Sequence, residues 1–390
     1  MGKGTDVPFM RDLMQEFAGS TGLDPVSPHQ DRYLWTDSFA VCNYLQMFRS
    51  SGDTAYRVLA LRLVDQVHHT LGRHREDDTR EGWISGLSEE EGRLHPTAGG
   101  LRIGKPLPER RPDEPPDERL EWEQDGQYYH YLTRWMHALN RVSAVTGDPA
   151  CLRWATELAR SAHAAFTYRH PSGQKRMHWK MNIDLSRPLV RSMGQHDALD
   201  GFVTYSGLQA AAARERGGSP LPGLGAEIAD MAEICRGGGW ATDDPLGIGG
   251  LLSDAARISQ LMMPGNYRYG SLLEHVLEAA LSGLESFAES GCLHLPAGHR
   301  LAFRELGLAI GLAGAGEMHG GVRKNPERYG RGSNIPHQLR SLTAYLPLGQ
   351  AILQFWLDGK NREAGTWTDH REINRVMLAT SLAPGEFLSV

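Results

Sequence analysis

Carboxylates, imidazoles and indoles recur at one kind of place in this 390-residue chain, at or just before the start of apolar helical patterns. The segments read Arg32-Tyr33-Leu34-Trp35-Thr36-Asp37, then Glu121-Trp122-Glu123-Gln124-Asp125-Gly126-Gln127-Tyr128-Tyr129-His130, then Gln195-His196-Asp197-Ala198-Leu199-Asp200. Asp243-Asp244, His299-Arg300 and Glu317-Met318-His319 follow in the same position further on. Carboxylates serve as general acid and base, and flat aromatic rings pack on the apolar face of a sugar, so this set is what a sugar pocket requires. Trp35, Asp37, Trp122, Asp125, Gln127, His196 and Asp197 are expected to line one cavity, with Tyr128, His130, His178, Trp179 and Asp200 as further substrate contacts. Two of Asp37, Asp125 and Asp197 are the expected acid and base. Carboxylates on different helices stand far enough apart to admit a water, as inverting glycoside hydrolysis needs. The alternative chemistry is cofactor-free epimerisation or isomerisation, in which His196 and His319 exchange a proton at the carbon beside a carbonyl. A third reading is a non-catalytic protein that binds its ligand through a concave mouth.

Each of these residues also has a structural use. Asp37 at a helix start stabilises free N–H groups and the helix dipole as readily as it would a substrate. Asp197 and Asp200 share one helix face, close enough for one to raise the pKa of the other. His178 and Trp179, with Lys180 and Asn182 alternating beside them, fall in an expected strand pair, which serves either as a surface hairpin or as a cover over the mouth. His68-His69 lies on an amphipathic helix and reads as structural. Convincing HxxxH or cysteine-rich ligand spacings are missing, and Glu317-Met318-His319 offers at most two ligands, so no metal is expected. Gly237-Gly238-Gly239 and Gly247-Ile248-Gly249-Gly250 lack the Lys-Ser/Thr of a phosphate loop, and no GxSxG elbow occurs. No cofactor is expected either.

Helices must position these groups. From 36 to 51 the apolar residues Phe39, Val41, Cys42, Tyr44, Leu45, Met47 and Phe48 surround the helix, whereas from 54 to 71 Val58, Leu59, Leu63, Val67 and Leu71 form one stripe. Thr36 is the expected N-cap of the first, and Gly52-Asp53 joins the two in a turn short enough to force an antiparallel hairpin. The same device returns 95 residues further on, where Gly147-Asp148 precedes a helix with Leu152, Ala155, Leu158, Ala162 and Phe166 on one face. At that offset Gly52, Asp53, Ala55, Ala60, Leu63 and His68 all find identical residues, a weak internal repeat. Further helices are expected at 127–145, 197–214, 225–235, 248–262, 271–288, 301–315, 338–356 and 369–379, with β patterning confined to 177–185. About six hairpins with buried first helices and amphipathic second ones predict an all-α fold, an (α/α)6 toroid spanning 1–390 as one domain. Residues 72–126 would be a long irregular excursion or lid.

Apolar residues make up 40% of the chain and charged ones 23%, the balance of an ordinary globular protein. The net charge of −6 and the lack of a long basic run argue against nucleic acid or an anionic membrane as partner, leaving a small-molecule carbohydrate as the expected one. Composition leaves the oligomeric state open. Cys42, Cys151, Cys235 and Cys292 stand far apart, which fits free thiols in a reducing compartment. Lys3, Asp6, Arg11 and Asp12 interrupt the N-terminus where a signal peptide would be apolar, and the most apolar segment, Leu306 to Ala315, is too short to cross a bilayer. A cytoplasmic protein is expected.

The hairpin spacing, the Leu34-Trp35-Thr36-Asp37 opening and the His196-Asp197 opening resemble the six-hairpin glycosidase superfamily, including unsaturated glucuronyl hydrolases, and the related N-acylglucosamine 2-epimerases. The likeness spans about residues 30–380 at the level of architecture. It implies an (α/α)6 toroid and a carbohydrate substrate. The epimerase-type histidines of two late helices have loose counterparts in His299, His319 or His337.

Overall fold

The computed structural model describes residues 6–28, 30–215, 222–262, 268–324, 326–329 and 332–390. Two compact units form, one from Ala18–Gly238 and the other from Met1–Phe17 with Gly239–Val390. After α1 (Asp6–Ser20), the first unit holds α2 (Leu34–Ser51) paired with α3 (Thr54–Leu71) and then two short helices, α4 (Glu89–Leu94) and α5 (Glu118–Glu123). Two more pairs follow, α6 (Tyr129–Thr146) with α7 (Pro149–Phe166) and α8 (Asp197–Ala212) with α9 (Gly225–Ile234). The second unit pairs α10 (Pro245–Leu261) with α11 (Gly270–Glu289) and α12 (Ala302–Lys324) with α13 (Ile335–Leu342). Its last pair is α14 (Leu346–Leu357) and, after α15 (Gly365–Thr368), α16 (Arg371–Leu382). The fold class is all-α, and these pairs reach the hairpin count of an (α/α)6 arrangement. Among the described residues no helix is long and apolar enough to cross a membrane.

The division of labour follows the apolar patterns. α2 and α6 are buried around almost their whole circumference, as are the first three turns of α8, and in the first unit α6 packs against both of the others. α3 and α7 each bury one stripe, Ala60, Leu63, Val64, Val67 and Leu71 in one and Leu152, Ala155, Leu158, Ala162 and Phe166 in the other. The stripe of α3 is rotated from the expected one. Val58 is 48% exposed and Ala60 takes the inward place, because helical spacing of three, four and seven residues runs back from Val67 through Val64 and Leu63 to Ala60, not to Val58.

Boundaries move where local chemistry outweighs periodicity. The helix expected over 338–356 is broken into α13 and α14 by a 3₁₀ turn at Thr343–Tyr345, since Pro347 lacks an N–H and crowds the turn before it. α12 continues past 315 to Lys324. Among the described residues five strands of two or three residues form: β1 (Gln127–Tyr128), β2 (Thr167–Arg169), β3 (Lys175–Met177), β4 (Lys180–Met181) and β5 (Pro188–Val190). β2 pairs with β3, while β4 lies between β1 and β5, all antiparallel. The 72–126 stretch carries α4 and α5 and sends Leu101 and Ile103 fully into the core of its unit.

Candidate active site

The starts of α2, α6 and α8, with β1 and β4, carry most of the chemistry-bearing residues of the first unit. α2 begins two residues before the expected cap: Tyr33 is the N-cap, and its backbone N–H donates to Asp37 Oδ2 at 3.0 Å. Asp37 Oδ1 lies 3.4 Å from Arg32 Nη1, and both side chains are fully enclosed. Burial pushes the Asp37 carboxyl up to about 6, against the pull of Arg32. Asp37 therefore works as a buried ion pair that shapes a helix start.

Asp125 is bound still more completely. Arg102 Nη1 donates to its Oδ2 at 2.6 Å and Arg75 Nη1 at 3.4 Å, while Oδ1 accepts the backbone N–H groups of Gly104, Lys105 and Gly126. Gln127 joins three segments: its Oε1 accepts from Leu101 N, and its Nε2 donates to the carbonyls of Gly99 and Ile183. Gly100, at φ +78°, leaves no room for a Cβ beside that amide. Lys180 is fully buried, and its ammonium donates to the carbonyls of Glu121 and Gln124 and to the Glu121 carboxylate, 5.4 Å from the Tyr128 ring centre. Burial pushes this amine down from its ordinary value, with Glu121 opposing.

An aromatic group stands on this frame. The His130 ring stacks on Tyr128 at 5.4 Å and on Trp179 at 6.3 Å, with Trp35 edge-on at 6.0 Å. Trp122 meets Trp179 at 4.9 Å and is half exposed. His130 Nδ1 lies 3.8 Å from Asp197 Oδ1, and neither that nitrogen nor Asp197 Oδ2 makes a hydrogen bond. One turn further along the same two helices, Thr133 Oγ1 donates to Asp200 and Arg134 Nη1 lies 3.2 Å from Asp200 Oδ1. α6 and α8 thus face each other in two rungs, an imidazole beside a carboxyl and an ion pair. Burial, then the Asp200 charge, raises the Asp197 carboxyl to about 7, and burial lowers His130 to about 4. The Gly194 backbone lies so close over the Asp197 carboxylate that a side chain there would collide with it.

Of the expected site residues, the structure brings Trp35, Trp122, Tyr128, His130, Trp179, Asp197 and Asp200 into one connected cluster. His178, in the link between β3 and β4, points elsewhere: its ring stacks on Tyr168 of β2 at 4.3 Å. His196 is half exposed at the N-cap of α8, and His319 belongs to the other unit, on α12. Arg134, Thr133 and Tyr131 went unnoticed in the sequence. The signal for Arg134 was its spacing, four residues after His130 on the same helix face. Among the described residues no group of three or more His, Cys, Asp or Glu side chains is arranged to hold a metal ion.

No protein-family model and no curated protein matches this sequence. Among solved structures, the chain is similar to a cellobiose 2-epimerase from Spirochaeta thermophila DSM 6192, at 14% identity over 90% of this chain and 100% of that one, with a TM-score of 0.46. It is also similar to a sugar epimerase from a ruminal bacterium, at 10% identity over 96% of this chain and 98% of that one, with a TM-score of 0.48.

Proposed function

We propose that the chain is a carbohydrate-active enzyme of the epimerase or isomerase kind, with Asp197 as the base and neutral His130 as the hydrogen-bond donor. The observation that carries this reading is the Asp197–His130 pair, 3.8 Å apart beside an aromatic wall, with the carboxyl raised to about 7 and the imidazole lowered to about 4. Two neighbouring groups whose pKa values are pushed apart suit a base and an electrophile, and a base near 7 matches a neutral medium. In the reaction, the Asp197 carboxylate takes the proton from C2 of an open-chain aldose. The C–H electrons form the C1–C2 double bond, and the carbonyl electrons move to O1, where the His130 N–H holds the enediolate oxygen. Return of the proton to C1, with the O2 hydroxyl proton passing to O1 as the C2 carbonyl forms, gives the ketose, and return to the opposite face of C2 gives the epimer. With both groups on one side, same-face return and isomerisation are favoured.

Two-carboxylate hydrolysis has less support, since Asp37 and Asp125 are both committed to arginines and backbone N–H groups. The raised Asp197 carboxyl is the one feature that favours it, as a proton donor to a leaving group. The test is incubation with D-mannose, D-glucose or D-fructose in heavy water. Deuterium should enter at C1 or C2, and Asp197→Asn should lower kcat by about a hundredfold or more with a smaller change in KM. Deuterium-free sugars, or full activity in both Asp197→Asn and His130→Gln, would overturn the assignment, and cleavage of a disaccharide instead would favour hydrolysis.

A further inference from the structure

The 72–126 excursion and the β4–β5 turn line a cleft of about 790 Å³ set with charged side chains, within the ~300–1,000 Å³ range of small-molecule sites. Its wall holds five arginines, and four of them face carboxylates: Arg75 meets Asp77, Arg80 meets Asp78, Glu109 and Asp184, Arg110 meets Glu121, and Arg111 meets Glu114. The fifth is different. Arg187 donates from Nη2 to the Arg110 carbonyl and, among the described residues, is paired with no carboxylate. On the same wall Gln124 is 6% exposed, and its Oε1 is buried without a hydrogen-bond partner.

These two groups ask for opposite things. A guanidinium with spare N–H groups recruits an anion, and its planar fork suits a carboxylate. A buried amide oxygen left without a donor costs free energy until a hydroxyl or N–H reaches it. An ionised carboxylate has no proton to give, so one ligand satisfies both only if it carries hydroxyl groups beside its charge. We propose that this cleft is a binding site for a sugar acid, with the carboxylate on Arg187 and a ring hydroxyl donating to Gln124 Oε1. The site is separate from the Asp197–His130 pair and does not depend on what that pair does.

Calorimetric titration of the full chain with sodium D-glucuronate tests the assignment, with D-glucose, sodium acetate and D-glucose 6-phosphate as companion probes. Glucuronate should bind, and glucose and acetate, each supplying half of the match, should bind about tenfold more weakly or worse. Arg187→Gln should reduce glucuronate binding to the level of glucose, and Gln124→Met, which keeps the size of the side chain, should weaken glucuronate and glucose alike. Asp197→Asn should leave glucuronate binding intact. Absence of heat with glucuronate, equal binding of acetate, or unchanged affinity in both cleft variants would sink the proposal. So would loss of binding in Asp197→Asn, because the ligand would then occupy the other site. Tighter binding of the sugar phosphate than of glucuronate would overturn the choice of carboxylate.

Discussion

Asp197 holds a proton at a pH where an ordinary aspartate has lost it, and that has a cost in stability as well as a use in chemistry. Its folded-state value of about 7 lies above the ordinary 3.8, so the folded chain binds a proton that the unfolded chain releases. Stability from this group therefore falls as pH rises from about 4 to about 7, and the full cost of an ionised, enclosed carboxylate is present above that window. Asp197→Asn removes the cost. The variant should gain thermal stability over the parent progressively through the window, reaching on the order of 1 kcal/mol or more at pH 8, with no such gain at pH 4. A difference in melting temperature that stays flat with pH would show the carboxyl titrating normally. His130 and His68 act in the other sense: both are lowered by burial, to about 4 and about 3, so the stability they contribute is lost as pH falls below 6.5. In the sequence Asp37, Asp125 and Asp197 looked alike, each an acidic residue at a helix entry. What separates them is long-range: Arg32 turns one inward, Arg75 and Arg102 close around another, and only Asp197 meets an imidazole.

The turns Gly52-Asp53 and Gly147-Asp148 are the same small machine built twice. Each glycine sits in the left-handed region at φ 75° or 76° and caps a helix through its N–H, and each aspartate side chain accepts from the N–H two residues on. Ser51 and Thr146 hydroxyls accept from the aspartate N–H groups in matching fashion. Neither glycine has another atom within 4 Å of where a Cβ would be, so Gly52→Ala and Gly147→Ala should each cost about 1 kcal/mol from backbone strain alone. The two costs should agree within about 0.5 kcal/mol in urea unfolding and add in the double variant; unequal single costs would mean the turns are not equivalent, and a sum that misses the double variant would mean they are coupled. These hairpins were legible because a 3.6-residue period, a capping aspartate and a C-terminal glycine agree with one another. The strands were legible only around 177–185, since two or three residues make no period, and the break between α13 and α14 needed Pro347 to be weighed above a continuous apolar pattern.

The unit formed by Ala18–Gly238 is continuous in sequence and contains the Asp197–His130 pair, the aromatic group and the sugar-acid cleft. Its companion unit is assembled from two separated stretches, with Arg362 stacked on Phe9 at 5.0 Å and Arg375 paired to Glu16 at 2.8 Å. A fragment of residues 18–238 should therefore fold alone, with helical circular dichroism and a single cooperative urea transition. A fragment of 239–390 should be measurably stabilised by restoring residues 1–17. If 18–238 gives a broad, non-cooperative transition, the unit is not self-sufficient. In the sequence this division is marked by the Gly237-Gly238-Gly239 run alone, while the apolar helical patterns continue on both sides of it.

Lys180 is one of six lysines in the chain, and its amine is fully enclosed with its protons given to Glu121 and Gln124. An acylating reagent needs a free amine in contact with water. The residue can thus take up a label only while α5 and β4 are parted, so the rate at which it is tagged is a clock for the opening of the frame beneath Tyr128 and Trp179.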